Sequence, residues 1–481
     1  MEVTGSLNFL SVMRFQERYR PQFHYTMTKG WINDPIGLFY YEGEYHIFND
    51  HNPFSTNFPG GTTDGEQSHW SHAISPDLVH WKHLPFAIYP DDNAACWSGS
   101  GLVDWNNAAG FQTGSEPTLV LAYTSAGATF TQSLVYSNDK GRTWEKYHGN
   151  PILEQIAPSN RDPMVFWYQP TEKWVMILYV ERGKAHFFNS DDLKSWTPTA
   201  EVPLASPSTY RRGKLDPGGF YECPDLFELP VDGNPENKKW VLCDASFNYW
   251  IGSFDGAVFN PEMGPYKGDF GHNFYAPQSW KRPNDKPIQI GWMKGGDFPD
   301  MPFNQQMSFP CELSLRTFGD QLRLFRYPIE GIVKLYTEEF EIHRRNISPG
   351  EKPISEISGD LFDIDMEVAP GNAPEFGLGL HDQSVTLKRF APPGGGYRIS
   401  ALGKSADAFL VNGNIKLRIL VDRTSLEIFA NDGEVSMSTC FLPVQKETGL
   451  QLFAKGGEIH VTSLKVRKLK SMWNEGPASG K

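Results

Sequence analysis

Short apolar runs separated by turn residues dominate the first two-thirds of the chain. Segments such as TLVLAYT, KWVMILYV and IQIGWM are bounded by Gly, Pro, Asn and Asp, and apolar residues at helical spacing are almost absent. This pattern is typical of β-strands joined by tight turns. The chain is therefore predicted to be all-β.

A weak repeat recurs along the same part of the chain. A Ser-x-Asp or Ser-Phe-Asp turn followed by an aromatic residue returns at intervals of 62, 53 and 63 residues. The aspartates of these turns are Asp77, Asp139, Asp192 and Asp255. The spacing fits one four-stranded propeller blade with its loops, although a common hairpin turn used several times would give the same signal. We interpret residues 20–335 as a five-bladed β-propeller that follows an N-terminal segment, 1–19.

The pattern changes towards the C-terminus. After a loop at 347–353, strands such as DLFDIDMEV and IKLRILVD alternate apolar and polar residues, as the strands of two packed sheets do. Asn-Asp-Gly at 431–433 predicts a hairpin turn. We predict a β-sandwich over 336–470 and a disordered tail over 471–481.

Composition narrows the classes of partner. The net charge of -13 argues against nucleic acid and anionic membranes, whereas 14% aromatic residues suit a neutral carbohydrate. No apolar run is long enough to span a membrane. The first residues lack the basic region of a signal peptide, so the expected location is open: extracellular or periplasmic if a signal has been removed, otherwise cytoplasmic.

The five cysteines are Cys96, Cys223, Cys243, Cys311 and Cys440. Their number is odd, their spacing is wide and no CxxC pair occurs, which fits neither a disulfide framework nor a zinc site. We predict ordinary buried thiols.

Three carboxylates stand in unusual local sequences: Asp34 in WINDP, Asp162 in NRDP and Glu222 in FYECPD. WINDP has the composition of a turn before the strand LFYY, and a structural turn is the simplest interpretation. The alternative is that Pro35 holds Asp34 as a working carboxylate. In a propeller the inner strands of different blades converge, so these three groups could meet.

Glycoside cleavage needs one ionised and one protonated carboxyl group. Polar surroundings near Asn33 favour Asp34 as the ionised base or nucleophile. An apolar strand containing Phe220 and Tyr221 would raise the pKa of Glu222 and make it the acid. Arg161 would keep Asp162 ionised and able to bind sugar hydroxyls.

WINDP, RDP and YECPD, in this order, resemble the signature motifs of glycoside hydrolase family 32, which contains invertases, inulinases and levanases. WSGSG, NFYAPQSW, IGWM and TSLEIFANDGE resemble further segments of that family. The resemblance extends from about residue 20 to about residue 468.

The resemblance implies a five-bladed propeller followed by a β-sandwich, and no metal or organic cofactor. It implies that Asp34 is the nucleophile, Glu222 the acid and then the base, and Asp162 a stabiliser of the transition state. Two displacements retain the anomeric configuration and place the Asp34 and Glu222 carboxyls about 5–5.5 Å apart. The implied substrate pocket contains Asn33, Trp97, Ser98, Arg161 and Trp292, with Trp31 in its apolar wall. Cys223 is expected to be a plain buried thiol.

The sequence departs from the family pattern beside the nucleophile. Ile36 replaces an Asn, Asp50 replaces a Gln, Phe58 stands in place of a Trp, and the loop before Trp70 is lengthened. We expect Asp50 to line the pocket and, as a like charge near Asp34, to raise one of the two pKa values. Ile36 is expected to make the pocket wall less polar.

The resemblance implies a hydrolase that releases β-fructofuranosyl units from fructans, fructo-oligosaccharides or sucrose through a covalent fructosyl-Asp34 intermediate. A fructosyltransferase would use the same intermediate. A non-catalytic sugar-binding relative is the third possibility, which the intact carboxylates argue against.

Overall fold

The computed structural model describes residues 15–59, 67–92, 94–204, 210–211, 214–215, 219–281, 286–380, 382–390, 395–443 and 449–473. Apart from three short 3-10 helices, at Gln169–Thr171, Glu330–Leu335 and Asn431–Gly433, the regular structure of these residues is β-strand. The all-β prediction is confirmed. Within these ranges, no helix has the length and apolar character needed to cross a membrane. Most of the predicted tail, 474–481, lies outside the described residues.

The N-terminal part of the chain forms consecutive antiparallel units. Its strands are β1 (Gly30–Tyr41), β2 (Glu44–Asn52), β3 (His69–Ser75), β4 (Lys82–Ile88), β5 (Ala95–Asp104), β6 (Thr118–Ala126), β7 (Phe130–Ser137), β8 (Glu145–Lys146), β9 (Arg161–Tyr168), β10 (Lys173–Glu181), β11 (Lys184–Ser190), β12 (Thr197–Pro203), β13 (Tyr210–Arg211), β14 (Lys214–Leu215), β15 (Asp225–Val231), β16 (Asn234–Cys243), β17 (Asn248–Phe254), β18 (Phe259–Lys267), β19 (Tyr275–Trp280), β20 (Ile288–Trp292), β21 (Phe303–Asn304), β22 (Cys311–Phe318) and β23 (Gln321–Pro328).

These strands pair mainly with their neighbours in sequence. Strands β1–β4, β5–β8 and β9–β12 form three separate sheets, and β21 adds to the first sheet beside β1. Strands β15–β18 and the set β19, β20, β22 and β23 are linked by a single parallel pairing of Val231 with Leu315 into one eight-stranded sheet. β13 and β14 pair only with each other among the described residues.

The repeated turns occupy equivalent places in four of these units. Each joins the third strand of a unit to the fourth, and the aspartate side chain accepts hydrogen bonds from backbone N–H groups of the turn. The acceptors are Asp77, Asp139, Asp192 and Asp255. The sequence repeat is thus a repeated structural hairpin, since a short carboxylate can satisfy the turn's unpaired donors.

The C-terminal part consists of two facing sheets. Its strands are β24 (Tyr336–Ile347), β25 (Phe362–Ala369), β26 (Glu375–Leu380), β27 (Gln383–Phe390), β28 (Gly396–Ala401), β29 (Lys404–Phe409), β30 (Ile415–Asp422), β31 (Ser425–Ala430), β32 (Val435–Cys440), β33 (Gln451–Lys455) and β34 (Ile459–Leu469). One sheet has the order β24-β34-β25-β30-β31-β32 and the other β29-β28-β27-β26-β33. Apolar side chains from both sheets, such as Ile364 and Leu387, pack in a shared core.

The predicted hairpin at 431–433 is confirmed, because this segment joins the antiparallel strands β31 and β32. Asn431, Asp432 and Gly433 all have positive φ, which Asn, Asp and Gly tolerate better than other residues.

A buried ionic cluster joins the N-terminal and C-terminal parts. His24 Nδ1 lies 2.9 Å from Asp422 Oδ2, and His24 Nε2 lies 2.9 Å from Glu427 Oε2, with all three side chains fully buried. Arg326 Nη2 contacts Glu427 Oε1 at 3.3 Å. Burial alone would lower the pKa of His24, but the two carboxylates outweigh it and raise the pKa to about 9. His24 is therefore a buried cation at neutral pH, and it fixes both strands β30 and β31 against the N-terminal part.

Replacing His24 by Ala should destabilise the protein strongly, because Asp422 loses its buried cation. Breaking a buried ion pair by removing one partner costs about 3–5 kcal/mol. The folded pKa of about 9 exceeds the ordinary value of 6.5, so the stabilisation is complete below pH 6.5 and is lost as the pH rises through 9. Urea unfolding at several pH values measures this.

The matched control is His343→Ala, which removes an exposed histidine paired with Glu341. It should change the free energy of unfolding by less than about 1 kcal/mol. Equal effects of the two substitutions at pH 6 would contradict the account of the cluster.

Candidate active site

Asn33 and Asp34 lie in a β-bulge rather than in a turn. β1 already begins at Gly30, and its pairing with β2 shifts between Ile32 and Pro35, so that Asn33 and Asp34 lie opposite the single residue Asp50. Of the two interpretations of WINDP, the simple turn before the strand is wrong, because the segment is a bulge within β1. A bulge bends the strand and redirects its side chains, and such bulges are frequent beside active sites.

Asp162 and Glu222 have a strained backbone. Their φ angles are 62° and 59°, and Cys223 follows with 43°. L-residues rarely adopt these left-handed values, and such strain persists only where the surrounding structure imposes it. Asp162 is the second residue of β9, whereas Glu222 precedes β15. The prediction that Glu222 lies within a strand was therefore wrong.

These three carboxyl groups share one cavity of about 590 Å³. All nine residues predicted for the site line it: Asn33, Asp34, Asp50, Trp97, Ser98, Arg161, Asp162, Glu222 and Trp292. Trp31 and Phe58 also lie in its wall, in edge-to-face contact at 5.9 Å between ring centroids. Part of the lengthened loop, 60–66, lies outside the described residues.

Sequence reasoning missed four polar side chains of the cavity, Ser68, Ser159, Tyr275 and Lys294. The Tyr275 hydroxyl donates a hydrogen bond to Glu222 Oε2 at 2.6 Å. Lys294 Nζ lies 3.7 Å from the centre of the Tyr275 ring. Tyr275 and Lys294 lie in or beside the quoted segments NFYAPQSW and IGWM, so their position in those segments was the available signal.

One serine hydroxyl links two carboxyl groups. Ser98 Oγ lies 2.8 Å from Asp34 Oδ2 and 2.8 Å from Asp50 Oδ2. A hydroxyl has a single proton and can donate it to only one of them at a time. The Asn33 amide donates to Asp50 Oδ2 at 3.2 Å, so the expected support of Asp34 by the Asn33 side chain was wrong.

Cys223 is buried, as predicted, but it is also in contact with two carboxyl groups. Its Sγ lies 3.3 Å from Asp34 Oδ2 and 3.5 Å from Asp162 Oδ2, and its backbone N–H donates to Asp162 Oδ2 at 3.1 Å. Burial, with the nearby carboxylates, raises the pKa of the thiol well above its usual range. Cys223 is thus a neutral donor between Asp34 and Asp162.

The pKa of Glu222 is lowered, whereas the sequence predicted a raised pKa and a protonated carboxyl group. Burial acts to raise the pKa of Glu222, but the Arg161 guanidinium and the Tyr275 hydroxyl outweigh it, and the pKa is lowered. Arg161 Nη2 forms a close ion pair with Glu222 Oε1. Glu222 is therefore an ionised carboxylate, because Arg161 faces it.

Arg161 also lowers the pKa of Asp162 less than predicted. Its Nε lies 3.8 Å from Asp162 Oδ2. Burial raises the pKa of Asp162 to about 7 in spite of Arg161. The prediction of a firmly ionised Asp162 was wrong, since desolvation exceeds the attraction of a cation that is directed at Glu222.

Asp50 lines the cavity as predicted, and burial together with the neighbouring Asp34 raises the pKa of Asp50 well above its usual range. Burial also raises the pKa of Asp34, against hydrogen bonds from Ser98 and Cys223. Ile36 does not form the cavity wall that was expected. It is buried in the apolar core of the first two sheets, because its side chain points away from the cavity.

In the described part of the chain, a group of residues that could bind a metal ion lies outside the cavity. Glu181, His186 and Glu201 approach one another on β10–β12. Lys184 Nζ already lies 2.6 Å from Glu181 Oε1 and 3.4 Å from Glu201 Oε2, so the acidic pair has a cation of its own.

Comparison with known proteins identifies the family. Residues 24–328 match the glycosyl hydrolases family 32 N-terminal domain, and residues 332–468 match the family 32 C-terminal domain. The chain belongs to glycoside hydrolase family 32. It is a glycosidase, with the β-propeller and β-sandwich of that family.

Levanase from Bacillus subtilis (strain 168) is 37% identical to this family 32 enzyme, over 96% of this chain and 72% of the relative. Extracellular exo-inulinase from Aspergillus niger is 30% identical, over 96% of each chain. The crystal structure of exo-inulinase from Aspergillus awamori superposes with a TM-score of 0.81 at 26% identity, covering 95% of this chain and 100% of that one. Fructofuranosidase from Schwanniomyces occidentalis, complexed with fructosylnystose, gives 0.80 at 25% identity, covering 95% and 99%.

Replacing Asp50 by Gln should shift the acidic limb of the pH–activity profile to lower pH. Asp50 and Asp34 share Ser98, and two close carboxylates resist ionising together. Asp34 and Asp50 compete for the first ionisation, and Gln removes the competitor, so Asp34 reaches its ionised state at lower pH. The measurement is kcat/KM as a function of pH for both proteins.

Asp91→Asn provides the matched control, because Asp91 is an exposed carboxylate that pairs with Lys146. Its profile should coincide with that of the unmodified enzyme. An unchanged acidic limb in Asp50→Gln would show that Asp50 and Asp34 titrate independently.

Proposed function

We propose that this enzyme releases β-fructofuranosyl units from fructans or fructo-oligosaccharides of the inulin, levan or sucrose type, with retention of configuration. The observation that carries the proposal is the meeting of Asp34, Asp162 and Glu222 in one cavity with an aromatic wall. The names of the relatives, which include levanase, exo-inulinase and invertase, support the substrate class.

The proposed architecture is a five-bladed propeller over 20–335 and a β-sandwich over 336–470, with an N-terminal segment 1–19 and a tail 471–481. The antiparallel units β1–β4, β5–β8, β9–β12 and β15–β18, with β19, β20, β22 and β23, support five blades. The family match ends its first part at residue 328 and begins its second at 332, which supports the proposed boundary.

Asp34 is the proposed nucleophile. Its Oδ2 accepts from Ser98 and Cys223, two neutral donors that can stabilise an ionised carboxylate without forming an ion pair. A fructosyl unit in the cavity would present its anomeric carbon to this oxygen. Asp162, held by the Cys223 N–H, would then accept hydrogen bonds from the sugar hydroxyls.

Glu222 is the proposed acid and base, and its contacts in the free cavity suit the second role. After the first displacement Glu222 is a carboxylate that must draw a proton from water, and Arg161 and Tyr275 stabilise that charge. For the first displacement it must carry a proton. We expect a bound substrate to intervene between Arg161 and Glu222, which raises the pKa of Glu222.

Products released from sucrose, inulin and levan test the proposal. Equal glucose and fructose from sucrose, with free fructose from the polymers, is the expected result. An excess of glucose over fructose would instead identify a fructosyltransferase, since the fructosyl unit would pass to a sugar hydroxyl. No release from any of the three fructosides would overturn the proposed activity and leave a sugar-binding relative.

Substitutions of the two carboxylates should separate their roles. Asp34→Ala should reduce kcat by several orders of magnitude on every fructoside, since no nucleophile remains. Glu222→Ala should lose about 10²–10⁴-fold on sucrose, the range of general acid catalysis. On an aryl fructoside with a good leaving group its first step should stay fast, seen as a burst of released phenol.

Circular dichroism and thermal melting serve as the check that both variants are folded. A burst from Asp34→Ala, or the same loss on both substrates for Glu222→Ala, would reject the assignment of roles.

A further inference from the structure

Three exposed aromatic side chains lie at the cavity end of the first sheet. Phe54, Phe58 and Tyr89 are 70%, 57% and 56% exposed. Phe58 lines the cavity, and Phe54 lies two residues after the end of β2. The cavity residue Asp50 on β2 pairs with Trp70 on β3, and Trp70 pairs with Ile88 at the end of β4. Tyr89 is the next residue after Ile88. The cavity and the exposed rings are therefore on the same edge of this sheet.

Phe54 and Tyr89 both contact a histidine that follows a cavity residue. Ser68 lines the cavity, and the ring of the next residue, His69, lies 5.7 Å from the Phe54 ring and 5.7 Å from the Tyr89 ring, edge to face in both cases. We name Phe54, Phe58, His69 and Tyr89 the aromatic rim.

The aromatic rim is held in place by side-chain hydrogen bonds. Asn52 Oδ1 accepts the N–H of Phe54 at 3.1 Å, and Asn52 Nδ2 donates to the carbonyl oxygen of Asn57 at 3.3 Å. Asn304 Nδ2 donates to the carbonyl oxygen of Thr56 at 3.0 Å. The segment that carries Phe54 and Phe58 is thus fixed from two sides, so its rings form a prepared surface.

The chemistry of the aromatic rim suits a neutral ligand. Burial lowers the pKa of His69, so the ring beneath Phe54 and Tyr89 is uncharged at neutral pH. Burial also lowers the pKa of His51, to about 4. The His51 ring contacts the ring of Phe86, which also contacts His69. Exposed apolar rings beside polar residues mark binding surfaces, and C–H faces of sugars can cover them and release water.

We propose that the aromatic rim binds the sugar units of a fructan chain that remain outside the cavity on the leaving-group side. This inference rests on the proposed function. A cavity of about 590 Å³ takes only the end of a polymer, and the rest of the chain must leave through its mouth. The aromatic rim adjoins that mouth at Phe58, which lines the cavity, and at His69, which follows the lining residue Ser68, and it offers the next units a neutral aromatic surface.

The test is the double variant Phe54→Ala with Tyr89→Ala, assayed on sucrose and on long inulin and levan. For at least one polymer kcat/KM should fall about tenfold, while for sucrose it should stay within about twofold, since two aromatic contacts are lost only by the longer chain. Tyr89→Phe, which keeps the ring, should behave as the unmodified enzyme.

Trp105→Ala is the matched control. Trp105 is 67% exposed, but it follows β5 at the end of the sheets away from the cavity, where its ring lies 5.8 Å from that of Tyr41. Trp105→Ala should leave kcat/KM for sucrose and for the polymers within about twofold of the unmodified enzyme. Should the double variant fail to fold, the single variant Tyr89→Ala carries the same expectation for the polymer with a smaller loss.

Affinity electrophoresis in gels containing inulin or levan tests the aromatic rim without turnover. Retardation of the unmodified enzyme that is lost in the double variant supports the proposal, even where the enzyme releases no product and the proposed function fails. Equal losses on sucrose and polymer, unchanged polymer activity, or no retardation of the unmodified enzyme would overturn it. So would a dimer that dissociates in the double variant, since the occupant would then be a second copy of the chain.

Discussion

The repulsion between buried like charges governs this active site. In the described part of the chain, the cavity is lined by the four carboxyl groups Asp34, Asp50, Asp162 and Glu222 and by the two cations Arg161 and Lys294. Burial raises the cost of every unpaired charge, so the four groups cannot all ionise together and must share protons. Arg161 faces Glu222, which leaves the remaining carboxyls to the neutral donors Ser98 and Cys223. This arrangement explains why Glu222 is ionised in the free cavity while the pKa values of the other three carboxyls are raised.

Such a site requires a rigid frame, because the carboxyls are held close together against their repulsion. The bulge at Asp34 and the left-handed backbone of Asp162 and Glu222 persist because paired strands fix the chain on either side. The C-terminal sheets also support this frame, although their described residues do not line the cavity. Through His24 they contact the segment that leads into β1, so the strand that carries the proposed nucleophile Asp34 follows directly on the buried ionic cluster. Stability and chemistry thus depend on one continuous set of packed strands.

Much of this organisation could be predicted from the chain alone. Strand patterns and turn aspartates depend on local chemistry, and all nine residues predicted for the site line the cavity. The charge states could not be predicted, because they depend on which partner each side chain faces across the cavity. Phe220 precedes Glu222 in sequence, but Arg161 on β9 and Tyr275 on β19 lower its pKa against the effect of burial. Asn33 precedes Asp34 but donates to Asp50. The direction in which Ile36 points was missed for the same reason, since a bulge reverses the alternation of side chains along a strand.

The central claim is that Asp34 becomes covalently attached to the fructosyl unit. Mass spectrometry of Glu222→Ala, quenched in acid during turnover of an aryl fructoside, tests it most directly, because loss of the base slows release of the intermediate. The account predicts that the peptide containing Asp34 gains the mass of one fructosyl residue and that the gain disappears as turnover ends. Attachment to a peptide containing Asp162, or a burst of released phenol with no modified peptide, would contradict it.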